Sequence, residues 1–406
     1  MRTLFVWLFL LTTLLSIAQE RCASTDYQSA LRTTDPRQAL TIATTESFLQ
    51  QQSIRLLTGA RTAAEDVIRI PVVVHVLYNN PAQNISEAEV KSQIDALNRD
   101  YRRLNADTVN TPERFRALAA DVGIEFYLAT ADPKGHATNG IVRKYTSTVN
   151  WLSNDKIKSS STNGDDAWDS KSYLNIWVGN LIGGAGYSSA PGGDAGKDGV
   201  VINTSAFGTI DRGGNYSMGR AAVHEVGHWL GLKHIWGDAQ CGDDGIGDTP
   251  PQGGYTLNCP SGFRSTCSNG ETGDMYMNYM DYTADACMNL FTQGQKKKMR
   301  ASFDANGPRA AMLQSKGLRE PWLEEAARID GVTPSSAVFP NPASNEISLN
   351  LGTASVGKTI RIFNANGVQV QIFQLTTAVQ KLNLSSFKTG VYFVATDGFS
   401  QRFIKL

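Results

Sequence analysis

Residues 224–234 read HEVGHWLGLKH, and the spacing within that run builds a metal site. His224 and His228 lie four apart, so on a helix they are separated by about 40° of arc and point into the same space. Both can hold one ion. Glu225 projects from the same turn, near enough to take a proton from a water at the metal without itself being a ligand. Gly231 can adopt the left-handed conformation that ends a helix and turns the chain, which returns His234 as a third ligand. Three protein ligands leave a fourth position open, and that separates a catalytic zinc from a structural one. A bare HExxH also occurs in ordinary amphipathic helices. The complete HExxHxxGxxH pattern consumes three of the five histidines in the chain, which argues for the metal. The other two, His75 in IPVVVHVLY and His136 in PKGHATNG, have no partner spacing and read as a packed strand residue and a loop residue.

Upstream of the motif, VIRIPVVVHVLY at 67–78 is rich in β-branched residues and reads as a buried strand, with Pro71 tolerable near an edge or bulge. Ser86 and Glu89 form a capping box that opens a helix carrying Val90, Ile94, Leu97 and Tyr101 on one face. Further strands are expected at 124–130, 173–180 and 199–203, with the metal helix starting near Ser217. This order predicts an α/β (α+β) domain, a mixed twisted sheet with the site where sheet meets helix. GGAGYSSAPGG at 183–193 is either an exposed edge strand that pairs with an extended peptide or a flexible connector.

The 406 residues suffice for a catalytic domain and smaller modules, and 38 basic residues against 38 acidic ones leave no global field for nucleic acid or an anionic membrane. Lys296, Lys297 and Lys298 read as a solvated helix face. Arg2, the apolar stretch from Leu4 to Leu15 and the small residues Ser16 and Ala18 predict a signal peptide over 1–18, too short for an integral membrane span. Residues 19–60 are polar, with weak helical stretches and no core of their own, which suits a pro-segment. Cys241, Cys259, Cys267 and Cys287 follow the metal motif, and in an exported chain they suggest two disulfides with three possible connectivities. Cys22 is the odd one. After a peptidase region ending at 322 and a linker over 323–336, residues 337–406 alternate as short strands with a hairpin signal at Asn366-Gly367, predicting a small all-β sandwich.

The metal helix together with NYMDY at 278–282 resembles the metzincin metalloproteases, in which a methionine turn lies beneath the zinc. That resemblance maps the turn to Met280, a soft thioether floor for the imidazoles, and gives Tyr282 the role of hydrogen-bonding an oxyanion. HEVGHWLGLKH, CGDDGIGDTP at 241–250 and NYMDYTADACMNLFTQGQ at 278–295 resemble more closely the pappalysins, in their short microbial members, over residues 60–315. The resemblance implies the pairings Cys241 with Cys267 and Cys259 with Cys287, and calcium in the acidic loop. Asp243, Asp244, Asp248 and Thr249 offer hard oxygens for such an ion within one glycine-bearing turn; a solvated acidic loop is the plainer reading. By the same resemblance Asp285 lies in a primed-side pocket, where a carboxylate would select arginine or lysine. Arg61 stands at the join between the polar segment and the first strand, so cleavage before a basic residue would make the bond between Ala60 and Arg61 a self-activating site. Cys22 would hold the open zinc position of the zymogen. FPNPASNEISL at 339–349, GVYFV at 390–394 and the ending Lys405-Leu406 resemble the sorting domains of type IX secretion substrates.

The expected protein is a secreted zinc endopeptidase with polypeptide substrates and a secretion machinery as partner. In it Glu225 moves the proton from water to the leaving amine, and Tyr282 steadies the oxyanion. A surface adhesin with a structural metal and a zinc amidase acting on something other than protein are the alternatives.

Overall fold

The computed structural model describes residues 21–58, 66–210, 214–319, 337–351, 353–365, 368–396 and 399–406. Ala60 and Arg61, the expected self-activating junction, lie outside the described residues. So do the expected signal peptide, the 323–336 linker and the Asn366-Gly367 turn. The chain divides into two units, Met1–Leu323 and Glu324–Leu406.

In the first unit the polar N-terminal stretch forms two helices, α1 (Ser24–Thr34) and α2 (Pro36–Thr58), which bury Tyr27, Ile42, Leu49 and little else that is apolar. β1 (Ile68–Tyr78) follows, then α3 (Glu87–Tyr101) and the single turn α4 (Glu113–Arg116). β2 (Ile124–Leu128), β3 (Ile141–Tyr145), β4 (Leu174–Gly179), β5 (Gly186–Ser188) and β6 (Val200–Asn203) complete the sheet, before α5 (Arg220–Trp229) and α6 (Gln293–Ala301). The sheet runs β2-β1-β4-β6-β5, with β3 beside the second half of β1. Every pairing is parallel except that of β5 with β6. The β5 strand, drawn from the glycine-rich run, is therefore an antiparallel edge.

β1 is an interior strand, so Pro71 sits neither at an edge nor at a bulge. Ala129 N–H donates to Val72 O and Val74 N–H donates to Gly140 O, so Val72 and Val74 address the β2 and β3 side. Pro71 then faces the opposite side, where pairing with β4 begins only at Val72, and its missing N–H costs no ladder bond. Ser86 Oγ accepts from Glu89 N–H at the start of α3, whose Val90, Ile94, Leu97 and Tyr101 are buried against the sheet. Tyr101 Oη donates to Val223 O, tying α3 to α5. Lys298 departs from expectation: it is buried on α6 against the acidic loop and α2, and burial lowers its ammonium pKa.

The second unit holds a four-stranded and a three-stranded antiparallel sheet over one apolar core that includes Ile347, Leu349, Ile360, Ile362, Val394 and Phe403. Its strands are β7 (Ala337–Phe339), β8 (Glu346–Asn350), β9 (Thr359–Asn364), β10 (Gln369–Gln374), β11 (Val379–Asn383), β12 (Gly390–Thr396) and β13 (Phe399–Lys405). No helix among the described residues is long and apolar enough to cross a membrane.

Candidate active site

α5 starts at Arg220 rather than near Ser217, and every residue in it is buried. Gly231 takes φ +94° just past its end, which only glycine adopts without strain, and the chain doubles back to bring in His234. The Nε2 atoms of His224, His228 and His234 lie 3.1–3.2 Å apart. Each Nδ1–H is committed elsewhere: His224 to Tyr279 O at 2.7 Å, His228 to Leu232 O at 2.9 Å, His234 to Asp238 Oδ1 at 2.5 Å. Three Nε2 lone pairs are thus aimed at one point, an arrangement that repels itself unless a cation sits there. Burial pushes His224 well below the usual imidazole range and His228 down to about 3, so both stay neutral and able to ligate. The donor set fits zinc.

Met280 packs against α5 at Gly227, between His224 and His228 in the sequence. A Cβ on Gly227 would stand 2.5 Å from Met280 Sδ, so the thioether fills the space that a side chain on α5 would need. Asn278 Oδ1 accepts from Met280 N–H, and Asn278 is locked in a reciprocal amide pair with Gln295 of α6. Tyr282, two residues on, packs its ring 4.9 Å from that of His234 and donates its hydroxyl to Cys22 O at 3.0 Å. Glu225 is fully buried; burial raises its carboxyl to about 7 against the opposing effect of the Ser24 and Cys22 side chains. Ser24 Oγ donates to Glu225 Oε2 at 2.8 Å.

The N-terminal segment occupies the cleft. Cys22 Sγ lies within 4.8 Å of the three histidine nitrogens, and no other such group gathers among the described residues. Burial, and next the Glu225 charge, push the Cys22 thiol well up, so a thiolate there needs a cation beside it. Arg21, completely buried, reaches Asp285: Nη2 donates to Asp285 Oδ1 at 3.0 Å and Nη1 to Thr283 O at 2.7 Å. The arginine seated on Asp285 is thus Arg21; Arg61, expected at the activating cut, is not among the described residues. The other Asp285 oxygen accepts from the N–H groups of Met218 and Arg220. Disulfides join Cys241 to Cys267 and Cys259 to Cys287, the second tying the Asp285 turn.

The acidic loop is less compact. Asp244 is buried, with Oδ1 accepting from Ile246 N–H and Thr249 Oγ1 and with Oδ2 unpartnered. Asp243 caps its own turn at Gly245, while both Asp248 oxygens turn to Thr292 and Gly294 at the start of α6. Arg21, Ser24 and Asp238 were not singled out from the sequence. The adjacency of Arg21 to Cys22, read with a basic-selective Asp285, was the signal that could have found the first.

Residues 157–304 match the peptidase family described as pregnancy-associated plasma protein-A. An extracellular metalloprotease of Arthroderma otae is 31% identical over 252 residues, 59% of this chain and 78% of its own length. One from Coccidioides posadasii is 31% identical over 263 residues, 61% and 80% of the two chains. The chain belongs to the pappalysin family of zinc metalloproteases. Among solved structures, mature mirolysin of Tannerella forsythia with a cleaved peptide is 50% identical, covers 62% of this chain and 97% of its own, and superposes with a TM-score of 0.60. A promirolysin variant from the same organism is 46% identical over 72% and 97%, with a TM-score of 0.66. Residues 337–405 match a secretion-system C-terminal sorting domain. This pappalysin is thus a secreted metalloendopeptidase carrying a type IX sorting tail, and the adhesin and amidase alternatives fall away.

Proposed function

We propose that the pappalysin is made as a latent zymogen, that residues 19–60 are its pro-segment, and that the freed enzyme cuts before arginine or lysine. The observation that carries the reading is the seating of Arg21 on Asp285 with Cys22 before the histidine triangle. A guanidinium desolvated against a carboxylate is the contact a basic substrate side chain would make there. The promirolysin match, longer than the mature one, lends support.

Chain direction explains why the segment is not consumed. A substrate cut before arginine would place that arginine C-terminal to the bond at the metal. In the pro-segment Arg21 is N-terminal to Cys22, and Ala23 N–H then donates to Gly186 O of β5 on the far side. The backbone therefore runs opposite to a substrate's. Ser24 also holds Glu225 through its hydroxyl, occupying the base.

In the freed enzyme, zinc bound by His224, His228 and His234 supplies a Lewis acid that polarises a carbonyl and acidifies water. Glu225 accepts the proton of the attacking water and hands it to the leaving amine. Tyr282, whose hydroxyl already bonds a backbone carbonyl in the cleft, donates to the oxyanion. Edge strand β5 pairs with the substrate backbone on the non-primed side. Calcium at the acidic loop is part of the proposal, centred on the unpartnered Asp244 Oδ2; Asp243, Asp248 and Thr249 would have to leave their present hydrogen bonds to join it. We further assign 61–322 to the peptidase domain, 323–336 to a linker and 337–406 to the sorting domain, and we place activation at the bond between Ala60 and Arg61. Profiling a peptide library with the mature enzyme tests the core of this: Arg or Lys should dominate after the cut, and Asp285→Ala should abolish that preference. An unchanged profile in the variant sinks the pocket assignment.

A further inference from the structure

The pro-segment fills a second socket, away from the metal. Tyr27 of α1 is almost fully buried, its ring 4.9 Å from that of Tyr187 on β5. Its hydroxyl donates to Asp155 Oδ2 at 2.7 Å. Lys158 Nζ stands 5.2 Å from the Tyr27 ring centre, 4.9 Å from Tyr187 and 5.5 Å from Trp177, ion-paired with Asp155 Oδ1 and donating to Lys197 O. Trp151 and Leu181 close the apolar wall.

These lining groups all lie outside the pro-segment. When α1 departs, Lys158 keeps the Asp155 and Lys197 oxygens, but Asp155 Oδ2 loses its donor and the Tyr187 face loses its ring. Asp155 is held at φ +63°, a left-handed backbone stabilised by its N–H donating to the Tyr187 hydroxyl. What remains is a slot with an aromatic wall, a cation over the ring position and a carboxylate oxygen at its end. That set matches one side chain, a phenol.

The socket also lies where a substrate passes. Tyr187 stands between Gly186, whose carbonyl receives the Ala23 N–H, and Ser188, whose N–H donates to Ser24 Oγ. A peptide paired with the β5 edge puts every second side chain on the Tyr187 face. We propose that in the mature enzyme the vacated Tyr27 socket is a non-primed specificity subsite for tyrosine in polypeptide substrates, with Asp155 reading the phenol hydroxyl. The proposal rests on the assignment of the primed side to Asp285.

The test uses the processed, zinc-loaded enzyme and quenched peptides carrying Arg after the cut, with Tyr, Phe or Ala at each of about two to four positions before it, the reach of a strand rising ~3.3 Å per residue. At one position kcat/KM should favour Tyr over Phe by at least about tenfold, the worth of one hydrogen bond to a charged group, and Tyr over Ala by more. Asp155→Asn should draw the Tyr-to-Phe ratio toward one without changing the Arg-to-Ala preference after the cut. Equal rates for Tyr and Phe throughout, or a ratio unmoved in Asp155→Asn, overturn the subsite. If that variant does not fold, the wild-type ratio decides alone. Loss of the Arg preference overturns the Asp285 reading instead, and is scored on a separate peptide pair.

Discussion

Removing the Arg21 side chain should release the pro-segment from its strongest polar anchor. Its guanidinium makes two charge-assisted bonds in a fully buried setting and lies 5.2 Å from the Tyr216 ring centre. Hydrogen bonds to charged groups contribute about 1.5–3 kcal/mol net, and a cation over a ring about 0.5–1 kcal/mol. The larger loss of about 3–5 kcal/mol seen when one member of a buried pair is stranded does not apply in full. Asp285 keeps the N–H groups of Met218 and Arg220, and its pocket can refill with water. A cost of roughly 2–4 kcal/mol follows, about 30- to 1000-fold in affinity. The assay adds the free pro-segment peptide, residues 19–60, to the mature enzyme and measures Ki for wild type, Arg21→Lys and Arg21→Ala. Lysine should fall between the others, since it restores charge without the forked geometry. A Ki for Arg21→Ala within about threefold of wild type would mean that the Cys22 contact alone holds the segment, and the reasoning from Asp285 would be refuted.

Tyr282→Phe removes the hydroxyl donor while keeping the ring edge-on to the stacked His234 and Trp236 rings; kcat should drop about 100- to 1000-fold with little change in KM, and an unaffected kcat would remove Tyr282 from the mechanism. Gly227→Ala forces a methyl to within 2.5 Å of Met280 Sδ, so the melting temperature should fall by the equivalent of about 1–3 kcal/mol, with unaltered stability counting against the methionine floor. Burial raises the Asp244 carboxyl to about 7, above its unfolded value, so the calcium-free fold prefers the protonated form and loses stability as pH rises from about 4 to about 7. Bound calcium would hold the carboxylate ionised and flatten that decline; melting curves across this range in calcium and in a calcium-selective chelator should separate, and superimposable curves would dismiss the ion.

Much of the architecture was legible because it depends on local periodicity. The β-branched run of β1, the four-residue spacing on α3 and α5 and the glycine after α5 each report on neighbours a few residues away. Glu225 and the three imidazoles share one such run. What escaped was long-range or segmental. Arg21 meets Asp285 across 264 positions, and no spacing rule spans that distance. The basic residue that drew notice was Arg61, because it marks a change of composition; burial of Arg21 in the cleft leaves no such mark. Asp238 reaches His234 only because residues 235–238 form an irregular turn with left-handed Asp238. Pro71 was placed by general strand rules, whereas its tolerance depends on where one neighbouring strand happens to begin.

The reversed course proposed for residues 21–24 bears on how activity would spread through a population of latent molecules. A cleft occupied by its own chain cannot receive another bond of that chain, and the bond it does hold faces the wrong way. On the proposed latency, each closed molecule would then be opened by another that is already open. Such a process feeds on its product: a dilute preparation would stay silent for long periods, and a trace of mature enzyme would shorten the lag. The released segment, until degraded, would still compete for the same cleft. On that reading local concentration, more than elapsed time, would set when the protease switches on.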